Sequence, residues 1–133
     1  MSSRDRTILV VDDDRDFRKA ICAIIRAGGY RAVEEADALA VLRTITEISP
    51  DLVLLDLYMP GVKGVELVRS MKELKISVPV LIVTGMVSVE DFQSLCGLGV
   101  DDFLAKPVTK ADLMKKIIQA LPQAGEKDIV YDI

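Results

Sequence analysis

The stretch DLVLLDLYMPG, residues 51–61, decides the reading of this chain. Residues 52–55 form a short, uninterrupted apolar run, the pattern of a strand covered on both faces. The run ends on a carboxylate, Asp56, and Met59-Pro60-Gly61 then stops regular structure. An acid at the end of a buried strand loses water at a cost. Either Asp56 caps the following turn, or it is held there to react.

Working outward, short apolar runs alternate with longer segments of helical period, five times over. The run TILVV (7–11) is continuous and β-branched, and it precedes Phe17, Ile21, Ile24 and Ile25, spaced as one helix face and closed by Gly28-Gly29. A weaker strand is expected around YRAVEE (30–35). A second helix starts near Asp37 and carries Leu39, Leu42, Ile45 and Ile48 before Ser49-Pro50 ends it. After the strand at 51–56, Val65, Val68, Met71 and Leu74 mark a third helix, and VPVLIVT (78–84) a fourth strand. Ser88-x-x-Asp91 reads as a capping box before Phe92, Leu95 and Leu98, with Gly99 as the stop. DDFLA (101–105) is the fifth strand, and Thr109-x-x-Asp112 caps a helix carrying Leu113, Ile117 and Leu121. Apolar strands alternating with helices predict an α/β fold, a doubly wound five-stranded parallel sheet with helices on both faces.

Composition narrows the function. The 133 residues suit one domain with a full core. Asp and Glu number 21 against 17 Lys and Arg, a net charge of −4, which argues against direct nucleic-acid binding. The opening MSSRDR lacks the apolar region of a signal peptide, and no stretch is a membrane span, so a cytoplasmic location is expected. The chain has no histidine, which removes histidine bases, His-type zinc sites and a phosphohistidine carrier role. Cys22 and Cys96 lie far apart in apolar helical stretches and are expected as buried, unpaired thiols.

In open parallel sheets, ligands bind beyond the carboxyl ends of the strands, where strand order reverses. Here the first strand ends in Asp12-Asp13-Asp14, the third in Asp56, the fourth in Thr84-Gly85 and the fifth in Lys106-Pro107. The second ends in Glu34-Glu35 on a weakly strand-like segment and is left aside. An acidic triplet before a helix is ordinarily a cap. Polar endings on four strands at once are harder to attribute to capping. Clustered carboxylates repel unless a cation joins them, and an all-oxygen donor set selects Mg2+, with Mn2+ as a substitute, over zinc. A divalent cation beside a free carboxylate and a lysine makes a site for a phosphoryl group.

The segments ILVVDDD, DLVLLDLYMPG, VPVLIVTG and DDFLAKP resemble the landmark segments of the receiver domain of two-component response regulators, in order and at that family's spacing, over residues 7 to about 121. The resemblance implies a flavodoxin-like, CheY-like sheet of order 2-1-3-4-5 with five helices. It implies Asp56 as phosphoacceptor, assisted by Thr84 and Lys106, and Mg2+ held by Asp12, Asp13, Asp56 and the backbone carbonyl of Tyr58. It implies Thr84 and Phe103 as the switch pair and a cis peptide bond before Pro107. Tyr58 and Met86 fall where the family tunes acyl-phosphate lifetime; both are bulky and are expected to obstruct the attacking water. The partners implied are a histidine kinase or phosphotransfer protein as donor, and an effector domain, target protein or second copy on the face of residues 88–121. Such a chain catalyses only its own phosphorylation and dephosphorylation.

Residues 1–121 are expected to be the receiver domain and 122–133 a tail or linker to an effector domain, since PQAGEKDIVYDI loses the helical period. Two rival readings remain: a phosphorylation-independent scaffold of receiver type, and a haloacid-dehalogenase-type phosphatase. The latter would use Asp12-x-Asp14, but Asp16 stands where its motif has Thr or Val, and it leaves Asp56 unexplained. Nucleotide-binding glycine motifs are absent.

Overall fold

The structure, a computed structural model, describes residues 5–100 and 102–121. The elements are β1 (Thr7–Val11), α1 (Arg15–Ala27), β2 (Arg31–Glu35), a 3-10 turn (Ala38–Ala40), α2 (Val41–Ile48), β3 (Leu52–Leu55), α3 (Gly64–Glu73), β4 (Val80–Thr84), α4 (Val89–Gly97), β5 (Phe103–Ala105) and α5 (Lys110–Ala120). The five strands form one parallel sheet of order β2-β1-β3-β4-β5. Strand order reverses between β1 and β3, so their carboxyl ends open a crevice.

The continuous apolar runs are explained by burial on both faces. Leu9, Val11, Val53, Leu55, Val80 and Ile82 point toward α2, α3 and α4. Ile8, Val10, Leu52, Leu54, Leu81 and Val83 point toward α1 and α5. Alternate residues thus serve opposite cores, as the two-residue period of a strand requires. Asp14, Ser88 and Thr109 cap α1, α4 and α5, each accepting a backbone N–H three residues on.

Several expected residues lie elsewhere than the helical period placed them. Leu39 is exposed, because the second helix opens as a 3-10 turn in which Ala38 and Val41, three apart, share the buried side. Leu74 follows the last turn of α3 and is exposed. Phe92 is also exposed, and only Leu95 of α4 is fully buried. Cys96, one residue on and about 100° around the helix, is therefore exposed as well, contrary to expectation; Cys22 is buried, and both are free thiols. β4 begins at Val80, after Pro79, which has no N–H to give the ladder. β5 begins at Phe103; Asp101 and the tail at 122–133 lie outside the described residues.

The loop after β3 is fixed by backbone contacts. Tyr58 and Lys63 form an antiparallel bridge, Gly61 takes a φ of 101°, and the Gly64 N–H donates to the Leu57 carbonyl at 2.9 Å. A methyl group added at Gly64 would meet the Leu57 Cα at 2.7 Å and its Cδ2 at 2.8 Å. Backbone cannot yield as a side chain does, so α3 must move away from the Asp56 loop. Gly64→Ala is expected to cost about 2–3 kcal/mol, read as a lower midpoint in urea with an unchanged slope; a variant as stable as the parent would show that α3 shifts freely.

Candidate functional site

The register of β1 against β3 pairs Val11 with Leu55, so the next residues, Asp12 and Asp56, emerge side by side. Asp12 is 2 % exposed, Asp56 9 % and Thr84 5 %, the three buried polar residues among those described. One carboxylate oxygen from each of Asp12, Asp13 and Asp56 lies within 4.8 Å of the other two. Thr84, ending β4, donates its hydroxyl to Asp56 Oδ1 at 3.0 Å, and the Tyr58 N–H approaches the same oxygen at 3.4 Å. Lys106, just after β5, donates to Asp12 Oδ2 at 2.7 Å and lies 3.5 Å from Asp56 Oδ2. Its peptide bond to Pro107 is cis.

The acidic triplet divides its work. Asp14 caps α1 through the Phe17 N–H at 3.1 Å. Asp12 turns inward, where its Oδ1 also accepts the Asp14 N–H at 2.9 Å. Asp13 remains exposed at the mouth. The same run thus supplies a helix cap in Asp14 and an inward-facing carboxylate in Asp12.

Burial works against the charge on Lys106, but the hydrogen bond and charge of Asp12, reinforced by Asp56, outweigh it and hold its pKa above the ordinary lysine value. The lysine is thus an ammonium at neutral pH. One cation faces three carboxylates, and the surplus negative charge together with hard oxygen donors fits Mg2+.

A second layer holds the first. Arg18 donates from Nη1 to the Asp12 carbonyl at 2.9 Å and from Nε to Glu34 Oε1 at 2.8 Å. Lys19 donates to the other Glu34 oxygen at 2.8 Å. Hydrogen bonds from Lys19 and Arg18, against a smaller effect of burial, lower the pKa of Glu34. On sequence Glu34 carries little signal, because β2 reads weakly. Pairing of β2 with β1 beneath α1 makes Glu34 an anchor for Arg18 and Lys19. Arg18 carries no sequence signal beyond its place on α1.

Tyr58 and Phe103 both meet α4. The Tyr58 hydroxyl donates to Asp91 Oδ2 at 2.8 Å and accepts the Ser88 N–H at 3.2 Å, which ties the Asp56 loop to the first turn of α4. The Phe103 ring lies 5.0 Å from that of Phe92, centroid to centroid. Met86 is 79 % exposed and packs little against the site. No helix among the described residues is long and apolar enough to cross a membrane.

Residues 8–118 match the family model of the response regulator receiver domain. The chain is 32 % identical over 127 residues to the phosphate regulon transcriptional regulatory protein PhoB of Pseudomonas aeruginosa, covering 92 % of this chain and 55 % of that protein. It thus spans about half the length of the curated relatives it matches. Among solved structures, a CheY-like response regulator receiver domain protein from Methanospirillum hungatei superposes with a TM-score of 0.81 at 31 % identity, covering 86 % of this chain and 91 % of that one. The BeF3-activated N-terminal receiver domain of Klebsiella pneumoniae RstA gives 0.81 at 26 % identity, covering 89 % and 100 %.

Proposed function

We propose, because this chain belongs to the response regulator receiver domains of two-component signal transduction, that Asp56 accepts a phosphoryl group from a histidine kinase or phosphotransfer protein. A single observation carries the proposal. The Asp56 carboxylate stands at the sheet's reversal point with Thr84 on one oxygen, Lys106 near the other and two further carboxylates beside it. In this reading an Asp56 oxygen attacks phosphorus as the bond to the donor nitrogen breaks, leaving an acyl phosphate and a free imidazole on the donor. Asp12, Asp13, Asp56 and the Tyr58 carbonyl would hold Mg2+, which supplies charge neutralisation for the transferring group. Lys106 pairs with the phosphoryl oxygens, and Thr84 moves its hydroxyl from Asp56 to the new group.

With Thr84 displaced, space opens for Phe103 to turn inward and leave Phe92, which alters the surface of residues 88–121 that a second copy or an effector reads. Residues 1–121 act as the receiver unit, with 122–133 as a tail or linker, in the cytoplasm. The only reactions assigned to the chain are gain and loss of its own phosphoryl group.

The test is intact mass after incubation with acetyl phosphate. A gain of one phosphoryl group that requires Mg2+ supports the proposal; no gain with the fold intact overturns it in favour of a scaffold.

Lifetime follows from the mouth of the site. Tyr58, two residues after Asp56, is anchored to Ser88 and Asp91, whereas the Met86 side chain is largely exposed. Tyr58→Asn should therefore speed loss of phosphate about tenfold, and adding Met86→Glu should accelerate it further, each removing about 1 kcal/mol of barrier or more. A double variant that loses phosphate no faster than the parent would remove the obstruction idea.

A further inference from the structure

Lys106 has a third neighbour. Its Nζ lies 4.1 Å from the centroid of the Phe17 ring, over the ring face. Phe17 is half-buried in the first turn of α1 and packs on the core shared with α5. On sequence it is one more apolar residue of a helix stripe. In the structure it is an uncharged partner for the ammonium of the site.

The ammonium's shortest contact, 2.7 Å, is to Asp12 Oδ2. Asp12 is also among the carboxylates that would bind a divalent cation. Lysine and cation therefore compete for one carboxylate. When the cation takes Asp12, the ammonium needs somewhere to stay that keeps it near Asp56. A ring face attracts a cation through its quadrupole, over a broad area and without a single lone-pair direction. It also carries no charge to compete with an incoming phosphoryl group.

Resting on the phosphoacceptor reading above, we infer that Phe17 is a positioning residue, whose ring retains the Lys106 ammonium beside Asp56 when Asp12 is given over to the divalent cation. Without the ring, the lysine stays on Asp12, so cation binding and phosphoryl transfer both weaken.

The experiment uses the whole 133-residue chain with Phe17 replaced by Leu or Tyr, and by phenylalanines carrying one to three ring fluorines. Calorimetry of Mg2+ binding without a phosphodonor is one readout, and the rate of phosphoryl gain from acetyl phosphate at saturating Mg2+ is the other. Phe17→Leu is expected to weaken both about three- to tenfold, with Phe17→Tyr within about twofold of the parent. The fluorinated series keeps shape while draining the ring face of negative potential, so both readouts should decline stepwise along it. Removing the lysine in a Lys106→Met background should abolish the series' effect. A flat fluorine series, or Tyr as poor as Leu, overturns the inference and leaves Phe17 a packing residue. Should Phe17→Leu fold badly, the fluorinated chains still decide. A parent that neither binds Mg2+ nor gains a phosphoryl group would sink the underlying reading instead, which separates the two failures.

Discussion

Asp56→Asn should gain no phosphoryl group from acetyl phosphate at any Mg2+ concentration, while its fold becomes slightly more stable. The amide oxygen of asparagine can still accept the Thr84 hydroxyl, which now donates to Asp56 Oδ1 at 3.0 Å, so no buried donor is orphaned. What disappears is the nucleophile and one of three clustered charges. Neutralising Asp56 removes two repulsions, from Asp12 and Asp13, against one attraction, from Lys106 at 3.5 Å. In Mg2+-free buffer the balance favours the variant by about 1 kcal/mol, a rise in Tm of about 3 °C for a domain of this size. Mg2+ should narrow that gap, since the cation rewards the parent's fuller carboxylate set. A variant that still gained the group would place the acceptor at another residue, and the assignment of Asp56 would be wrong.

Lys106→Met should act in opposite directions on chemistry and on cation binding. Removing a cation that faces the transferring group is expected to slow phosphoryl gain about 100-fold or more, the scale of one well-placed charge-stabilising donor. The same change leaves Asp12, 2 % exposed, without the ammonium at 2.7 Å, and leaves Asp56 without its only nearby cation among the described residues. In a chelator the variant should therefore lose about 2 kcal/mol of stability, less than a fully buried pair because the lysine side chain is 23 % exposed. Mg2+ then meets an uncontested site, binds more tightly than in the parent and restores the loss. At one hundred times the dissociation constant the gain is about 2.7 kcal/mol. Thermal melts with and without Mg2+, beside the phosphorylation rate, check all three parts. A variant whose Mg2+ affinity falls would show that the lysine does not compete for Asp12.

How much of this was legible beforehand varies residue by residue. The strand TILVV is legible to the residue because four of its five residues are β-branched and the run is too short for a helix. The helix caps Ser88 and Thr109 are legible because capping is a local act, settled within three residues. Phe92 and Cys96 went the other way. Periodicity says which residues share a face, yet α4 covers the core with little more than Leu95, and how closely a helix lies on its sheet is not written in the helix. Leu39 departs from the helical stripe because a 3-10 turn changes the period within a single turn.

By itself the sequence determined the alternation of strands and helices, the two-faced burial of the sheet, and the polar residue at the end of each central strand. These follow from hydrophobic period and from what a chain does at a strand's end, and both are local. Only the tertiary structure decided which member of the Asp12-Asp13-Asp14 run caps a helix and which turns inward. It alone joined Glu34 to Asp12 through Arg18, Tyr58 to the start of α4, and Phe17 to Lys106. Those pairings span loops and crossovers, and a side chain's partner across such a distance is fixed by the packing of whole elements, which no local pattern encodes.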